Sequence, residues 1–154
     1  MPNPELRHGP YAVVYSNGVL NYHAQFQAQG PGVVTGRSGT IGKVTFVEGP
    51  YWPHNTTLWV TSFKNNDPRF VFYLYTRIGF ERFATGSGVP TLNRNDVHAF
   101  EIEIPSTRAE QIAIAEVLTD MDAELAALEQ RREKTRGLKQ AMMQELITGK
   151  TRLL

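Results

Sequence analysis

Apolar residues come in short bursts between turn residues over the first hundred positions, and at helical spacing after Pro105. Tyr11-Ala12-Val13-Val14-Tyr15 is a short apolar run followed by Ser16-Asn17-Gly18. Asn-Gly is a strong hairpin signal because that turn needs positive φ at its central residues, so Val19 to His23 is predicted as the return strand. Gly30-Pro31-Gly32 marks a second turn, Val33-Val34-Thr35 a further strand, and Gly36-Arg37-Ser38-Gly39 a glycine-rich break. Thr40 to Val47 is predicted to resume a strand, with a bulge or close approach at Gly42. Glu48-Gly49-Pro50 turns again, and Leu58-Trp59-Val60-Thr61 is a β-branched and aromatic run suited to a strand. Phe100, Ile102 and Ile104 alternate with Glu101 and Glu103, the pattern of a half-buried strand.

Helical signals are sharper. Asp67 is placed to cap a helix whose first position, Pro68, has no N–H to lose. Phe70, Leu74 and Ile78 recur every four residues beside Val71, and Gly79 ends or weakens the run. Gly86-Ser87-Gly88 reads as a flexible loop, and Asn93 as the cap of a short helical turn. Thr107-Arg108-Ala109-Glu110 forms a capping box, and Gly149 stands where a C-terminal glycine belongs. Between them roughly 40 residues at about 1.5 Å each make a rod of about 60 Å.

Composition places a boundary inside this pattern. All eight Phe, six Tyr and two Trp lie between Tyr11 and Phe100, and the last of nine prolines is Pro105. Beyond it the strong helix formers Ala, Leu, Glu, Gln, Lys and Arg take over. The predicted organisation is α+β: a β-rich domain with short helices over residues 1–106, then one long helix over 107–154. The apolar stripe of that helix is Val117/Leu118, Met121, Leu125, Leu128, then Leu138, Met142 and Leu146, interrupted by Arg132 and Thr135 at seam positions. Steps of three and four are heptad-like, and a lone helix cannot bury such a stripe, so an antiparallel coiled coil with a partner is expected. Acidic residues crowd its first half (Glu110, Glu116, Asp120, Asp122, Glu124, Glu129) and basic ones its second (Arg131, Arg132, Lys134, Arg136, Lys139). That asymmetry suits the macrodipole, and it equally suits an antiparallel copy or a solvated face.

Charge and chemistry narrow the function by exclusion. With 16 Lys+Arg against 15 Asp+Glu, the net charge of +1 does not by itself argue for nucleic acid. Cysteine is absent, which removes disulfides, thiol nucleophiles and thiolate zinc sites and fits a reducing compartment. No run of apolar residues is long enough to span a membrane, and Met1-Pro2-Asn3-Pro4 has no signal-peptide pattern. His8, His23, His54 and His98 lack metal-ligand spacing, Glu101 and Glu103 read as the wet side of a strand, and no nucleophile elbow or Walker-type loop occurs. Gly36-Arg37-Ser38-Gly39-Thr40-Ile41-Gly42 is not a dinucleotide fingerprint, because a strand and not a helix is expected after it. It is either a tight hairpin or a close approach to a ligand. Arg37 offers a five-donor fork for a guanine edge or a phosphate, or serves as an ion-pair residue, and Lys43 adds a charge nearby.

The order of these segments resembles the specificity subunits of Type I restriction-modification systems over nearly the whole chain. Tyr15-Ser16-Asn17-Gly18-Val19-Leu20-Asn21-Tyr22-His23 resembles the family's Y-G-x-N-G-I-I-G-Y segment. Val34 to Val44 resembles its G-R-x-G-S-x-G turn, and Ser87 to Asn93 the loop before its closing strand. Ile102-Glu103-Ile104-Pro105, Glu110-Gln111-Ile112-Ala113 and Leu118-Thr119-Asp120-Met121-Asp122 resemble I-P-L-P-P-x-x-E-Q-x-x-I-A-x-x-L-x-x-x-D. Leu138-Lys139-Gln140 and Leu146-Ile147-Thr148-Gly149-Lys150 resemble its helix end. The resemblance implies a cytoplasmic, cofactor-free subunit that reads half of a split double-stranded DNA target and docks modification subunits. Methylation and cleavage then reside in other subunits. It implies a homodimer through the helix, with the seam Leu118, Met121, Leu125, Leu128, Leu138, Met142 and Leu146. Family members usually carry two recognition domains and two helices, each domain with a longer opening segment, so this chain reads as a half-subunit, a truncated gene product or a fragment, with that segment lacking. Phosphate contacts are expected from Arg37, Lys43, Lys64 and Arg94, and base contacts from Asn17, Ser38, His54, Asn55 and Thr57. The glycosylation pattern Asn55-Thr56-Thr57 is read as chance. The competing reading is an interaction protein that dimerises or binds modification subunits without reading DNA. An enzyme, whether nuclease or methyltransferase, has no motif here to support it.

Overall fold

Val33 and Val34 are adjacent and both fully buried, which places their strand between two apolar layers. The computed structural model describes residues 7–86 and 88–153. The readings of Met1–Pro4 and of Ser87 fall outside them. The elements run β1 (Tyr11–Tyr15), β2 (Gly18–His23), β3 (Gly32–Gly36), β4 (Val44–Val47), β5 (Tyr51–Pro53), β6 (Thr57–Trp59) and α1 (Pro68–Ile78). A 3-10 turn (Phe80–Phe83) follows, then β7 (Ala84–Thr85), β8 (Thr91–Leu92), α2 (Arg94–His98) and α3 (Arg108–Ile147). This is a mixed α+β chain, β-rich first and then one long helix. It forms two compact units, Met1–Ala115 and Glu116–Leu154.

In the first unit one sheet has the order β2-β1-β5 and a second the order β4-β3-β6. β1 pairs antiparallel with β2 and parallel with β5, while β3 is antiparallel to both its neighbours. Val34 faces the first sheet in a cluster with Val14, Ala28 and Tyr51, against which Val47 and Trp59 pack. Val33 faces the other way, toward Phe70 and Val71 of α1 and Ala115. Each aliphatic side chain so buried contributes about 1.5–3 kcal/mol. Burial also pushes the Tyr51 phenol up to about 12. His23 is equally buried: its Nδ1 sits 3.0 Å from the amide nitrogen of Arg7 and its ring meets Trp52 edge-on, a structural role.

The capping signals hold. Asp67 accepts from the amides of Arg69 and Phe70 at 2.9 Å, Pro68 opens α1, and Gly79 closes it at φ 68°. Asn93 caps α2 by accepting from the Asn95 amide at 3.0 Å. The Thr107 hydroxyl accepts from the Glu110 amide at 3.3 Å, and Gly149 takes φ 71° past the end of α3. The start of α3 is fixed within the first unit by Gln111, only 2% exposed. Its Oε1 accepts from the Asp67 amide at 2.9 Å, and its Nε2 donates to Asn66 Oδ1 at 2.8 Å and to the Pro105 carbonyl at 2.9 Å.

Two expected strands differ. Thr40–Lys43 is loop, because Gly39 and Gly42 hold φ values of 85° and 93°, which no strand accommodates; only Val44–Val47 forms the ladder. Phe100–Ile104 forms no strand, and Phe100, Ile102 and Ile104 are exposed instead of half-buried. Its alternation is strand-like but no neighbouring strand pairs with it among the described residues. Instead Phe100 meets Phe83 at 5.5 Å, and the Arg82 guanidinium lies 4.2 Å over its ring. Conversely, β5 was not expected. Its Pro53 costs little there because β5 is an edge strand.

In the second unit, every residue of the helix from Asp120 to Glu145 is exposed. Met121, Leu125, Leu128, Leu138 and Met142 are each about half exposed or more, while Leu118 and Leu146 are half-buried. The Arg132–Glu133 and Arg136–Glu133 pairs lie at the surface and contribute little to stability. No helix is long and apolar enough to cross a membrane among the described residues.

Candidate nucleic-acid interface

Strand β3 ends at Gly36, and the chain must double back within a few residues. A Cβ at Gly36 would lie 1.8 Å from the Thr40 carbonyl oxygen, so only glycine lets the loop close. The loop backbone is then pinned on two sides. The amides of Arg37 and Ser38 donate to the Thr56 carbonyl at 2.8 and 3.2 Å, and Gly39 donates to Pro90 at 3.1 Å. Leu92 in turn donates to the Arg37 carbonyl at 2.7 Å, and Ser38 bridges Thr91. The Arg37 backbone is therefore held while its side chain stays exposed. Among the described residues no carboxylate forms an ion pair with it. The carboxylate of Glu81 occupies the space a side chain at Gly42 would fill.

The loop's attachment to β8 brings a second arginine alongside. Arg37, Leu58, Thr91, Leu92, Asn93 and Arg94 line one cleft of about 510 Å³. Two forked cations on a concave wall suit bidentate contact with phosphate or with a guanine edge. Asn93 spends its side-chain oxygen on capping α2, which leaves its amide N–H groups to donate into the cleft. Arg94, Leu58 and Leu92 also border an adjoining cavity of about 380 Å³ that includes Thr57, Tyr75 and His98. Burial raises the Tyr75 phenol there.

The remaining expected residues divide. Lys43 donates from Nζ to the Asn17 carbonyl at 2.6 Å, and Ser16 packs on Gly36 and Gly39, so the β1–β2 hairpin tip and the Arg37 loop form one surface. Asn17, Lys43 and Asn55 are exposed on it or beside it. His54 is half-buried, with Nδ1 3.0 Å from the Thr56 hydroxyl and its ring 4.3 Å from Tyr15. Thr57 is buried and its hydroxyl donates to the His54 carbonyl at 2.6 Å, so its bonding is directed inward. Lys64 sits elsewhere, at φ 46° in the turn before α1, whose Asn66 bonds Gln111. Thr91 and Asn93 line the cleft too; the sequence marked Asn93 only as a helix cap and Thr91 only as part of a loop. The long-range Ser38–Thr91 bridge and the Leu92–Arg37 hydrogen bond bring them to Arg37. No group of three or more His, Cys, Asp or Glu positioned for a metal ion occurs among the described residues.

Residues 4–135 match the profile of the Type I restriction modification DNA specificity domain. The fold is also similar to the crystal structure of the S subunit of a Type-I restriction-modification system from M. genitalium. The TM-score is 0.65 at 19% identity, over 94% of this chain and 40% of that one. The chain thus spans less than half the length of that S subunit.

Proposed function

Since the chain belongs to the Type I restriction modification DNA specificity domain family, we propose that its β-rich unit reads one half of a two-part duplex DNA target. In this reading it performs no chemistry on the DNA, and methylation and cleavage fall to other subunits of a cytoplasmic complex. The observation that carries it is the pairing of Arg37 and Arg94 on one cleft, with Arg37 held by its backbone and free of any ion pair among the described residues. Arg37, Arg94 and Lys43 place the phosphates, while Asn17, Ser38, His54 and Asn55, with Asn93 added, face the base edges. Lys64 and Thr57 belong less readily to that surface, given their positions.

Each phosphate contact releases counterions and steepens the dependence of affinity on salt. Changing Arg37 and Arg94 together to alanine is expected to reduce the slope of log affinity against log salt by about two. Fluorescence anisotropy with labelled duplex across a salt series measures it. A slope that stays unchanged contradicts the assignment of these two residues.

The exposed stripe of α3 supports a further part of the proposal: the helix pairs antiparallel with a second copy or an equivalent helix and sets the spacing between half-sites. Modification subunits would dock on the resulting pair. Leu125→Asp with Leu128→Asp is expected to convert a dimer to a monomer in light scattering. An oligomeric state that does not respond argues against a seam at these positions.

A further inference from the structure

The β1–β2 hairpin carries an irregularity that the recognition reading does not use. Val13 pairs with Asn21 and Val14 with Val19, so the register shifts and Leu20 is left without a partner on β1. Such a bulge re-aims the side chain of the extra residue. Leu20 is 56% exposed, on an edge strand. A single exposed leucine is ordinary on a protein surface, so exposure alone decides nothing; its position does. Leu20 stands two residues from Gly18, beside which the Lys43 ammonium is anchored on Asn17. Ser16 of the same hairpin tip packs on Gly36 and Gly39, the glycines that flank Arg37 and Ser38. Behind the bulge, the Asn21 amide donates to the Tyr15 hydroxyl at 3.2 Å and is thereby engaged. The surface thus presents cations and amides for phosphates and base edges, and the hairpin beside them exposes Val19, Leu20 and Tyr22, of which Leu20 is the one at the bulge.

In the major groove of duplex DNA, the apolar group that distinguishes one base from the others is the C5-methyl of thymine. Resting on the reading that this surface faces DNA, we propose that Leu20 is a specificity-determining residue that contacts a thymine methyl group. The contact adds discrimination and no charge, so it acts independently of the phosphate contacts made by Arg37 and Arg94.

The test uses the full chain assembled with modification subunits and a duplex selected by that assembly from a randomised pool. Each thymine of the selected duplex is replaced in turn by deoxyuridine, which deletes the methyl and keeps pairing and charge. One position is expected at which the replacement weakens binding about 3–10-fold, the scale of one methyl group removed from water. With Leu20→Ala, the thymine and deoxyuridine duplexes should bind alike while the salt slope is unchanged, and Leu20→Met should keep the preference. The proposal is overturned if no replacement weakens binding, or if Leu20→Ala retains the full thymine preference. A pool that yields no selected sequence removes the recognition reading itself and this inference with it. A selected sequence that is blind to the methyl removes only the inference.

Discussion

Gln111→Ala is expected to lower the unfolding free energy by about 2–4 kcal/mol, at the upper end of what one substitution does. The side chain is 2% exposed and makes three hydrogen bonds to two separate segments, Asn66–Asp67 and Pro105. Truncation leaves the Asp67 amide at the start of α1 without its acceptor. It also leaves the Pro105 carbonyl, just before α3, without its donor. Both groups are half-buried and lose a partner, and a polar group left unpaired costs about 1–3 kcal/mol when water does not reach it. Gln111→Glu separates polarity from shape. It keeps an acceptor for Asp67 but turns a carboxylate oxygen toward the Pro105 carbonyl and Asn66 Oδ1, so it should be destabilising at neutral pH. Part of the loss should return at acidic pH, where the protonated carboxyl donates. Urea unfolding monitored by Trp52 and Trp59 fluorescence reads both variants. A Gln111→Ala protein as stable as the parent would contradict this account of how the start of α3 is held.

Gly36→Ala is the second large effect, and it links packing to binding. The added Cβ would lie 1.8 Å from the Thr40 carbonyl oxygen and 3.1 Å from Ser16 Cβ. Backbone and not a flexible side chain is in the way, so the loop must open. Overpacking of this kind costs about 1–3 kcal/mol. Opening also strains the hydrogen bonds that the Arg37 and Ser38 amides donate to the Thr56 carbonyl and the one that Leu92 donates to the Arg37 carbonyl, which orient the cleft. Duplex affinity is therefore expected to fall further than the fraction of folded protein does. Gly49→Ala is the matching control. Nothing lies within 4 Å of its Cβ position and its φ is not positive, so stability and binding should stay as they are. If Gly36→Ala remains folded and binds duplex normally, the loop does not position Arg37.

Local chemistry made much of this fold readable in advance. Asp67, Pro68 and Gly79 bracket α1, because a cap, a missing N–H and a left-handed glycine each act within one turn. Asn17-Gly18 located the first hairpin, although its turn is Ser16-Asn17 without positive φ at Asn17, and Gly18, at φ 112°, already opens β2. What stayed hidden depends on distant segments. β5 exists because Tyr51–Pro53 lies parallel to β1, a pairing across some forty residues that no local pattern encodes. Thr40–Lys43 has strand-like residue types, yet two glycines at positive φ turn it into a loop. Phe100–Ile104 alternates like a strand but has no ladder beside it.

The site divides along the same line. The glycine-rich loop drew attention to Arg37 because close backbone approach and a forked cation sit together. Arg94 was named only for its charge. That the two share a cleft, with Thr91 and Asn93 between them, follows from the Ser38–Thr91 bridge and the Leu92–Arg37 hydrogen bond. Gln111 belonged to a segment noted only for its resemblance. Its physical reason, a buried side chain with three hydrogen bonds, becomes visible only once Asn66, Asp67 and Pro105 are seen around it.

The central claim is that this chain distinguishes one DNA sequence from another. The most direct measurement incubates the full chain, alone and with modification subunits, with duplexes randomised over two helical turns, and sequences the bound fraction. The account predicts enrichment of fixed bases at a fixed spacing, with less DNA retained but the same bases enriched when Arg37 and Arg94 are both alanine. A bound fraction as random as the input pool, despite measurable retention of DNA, would contradict it.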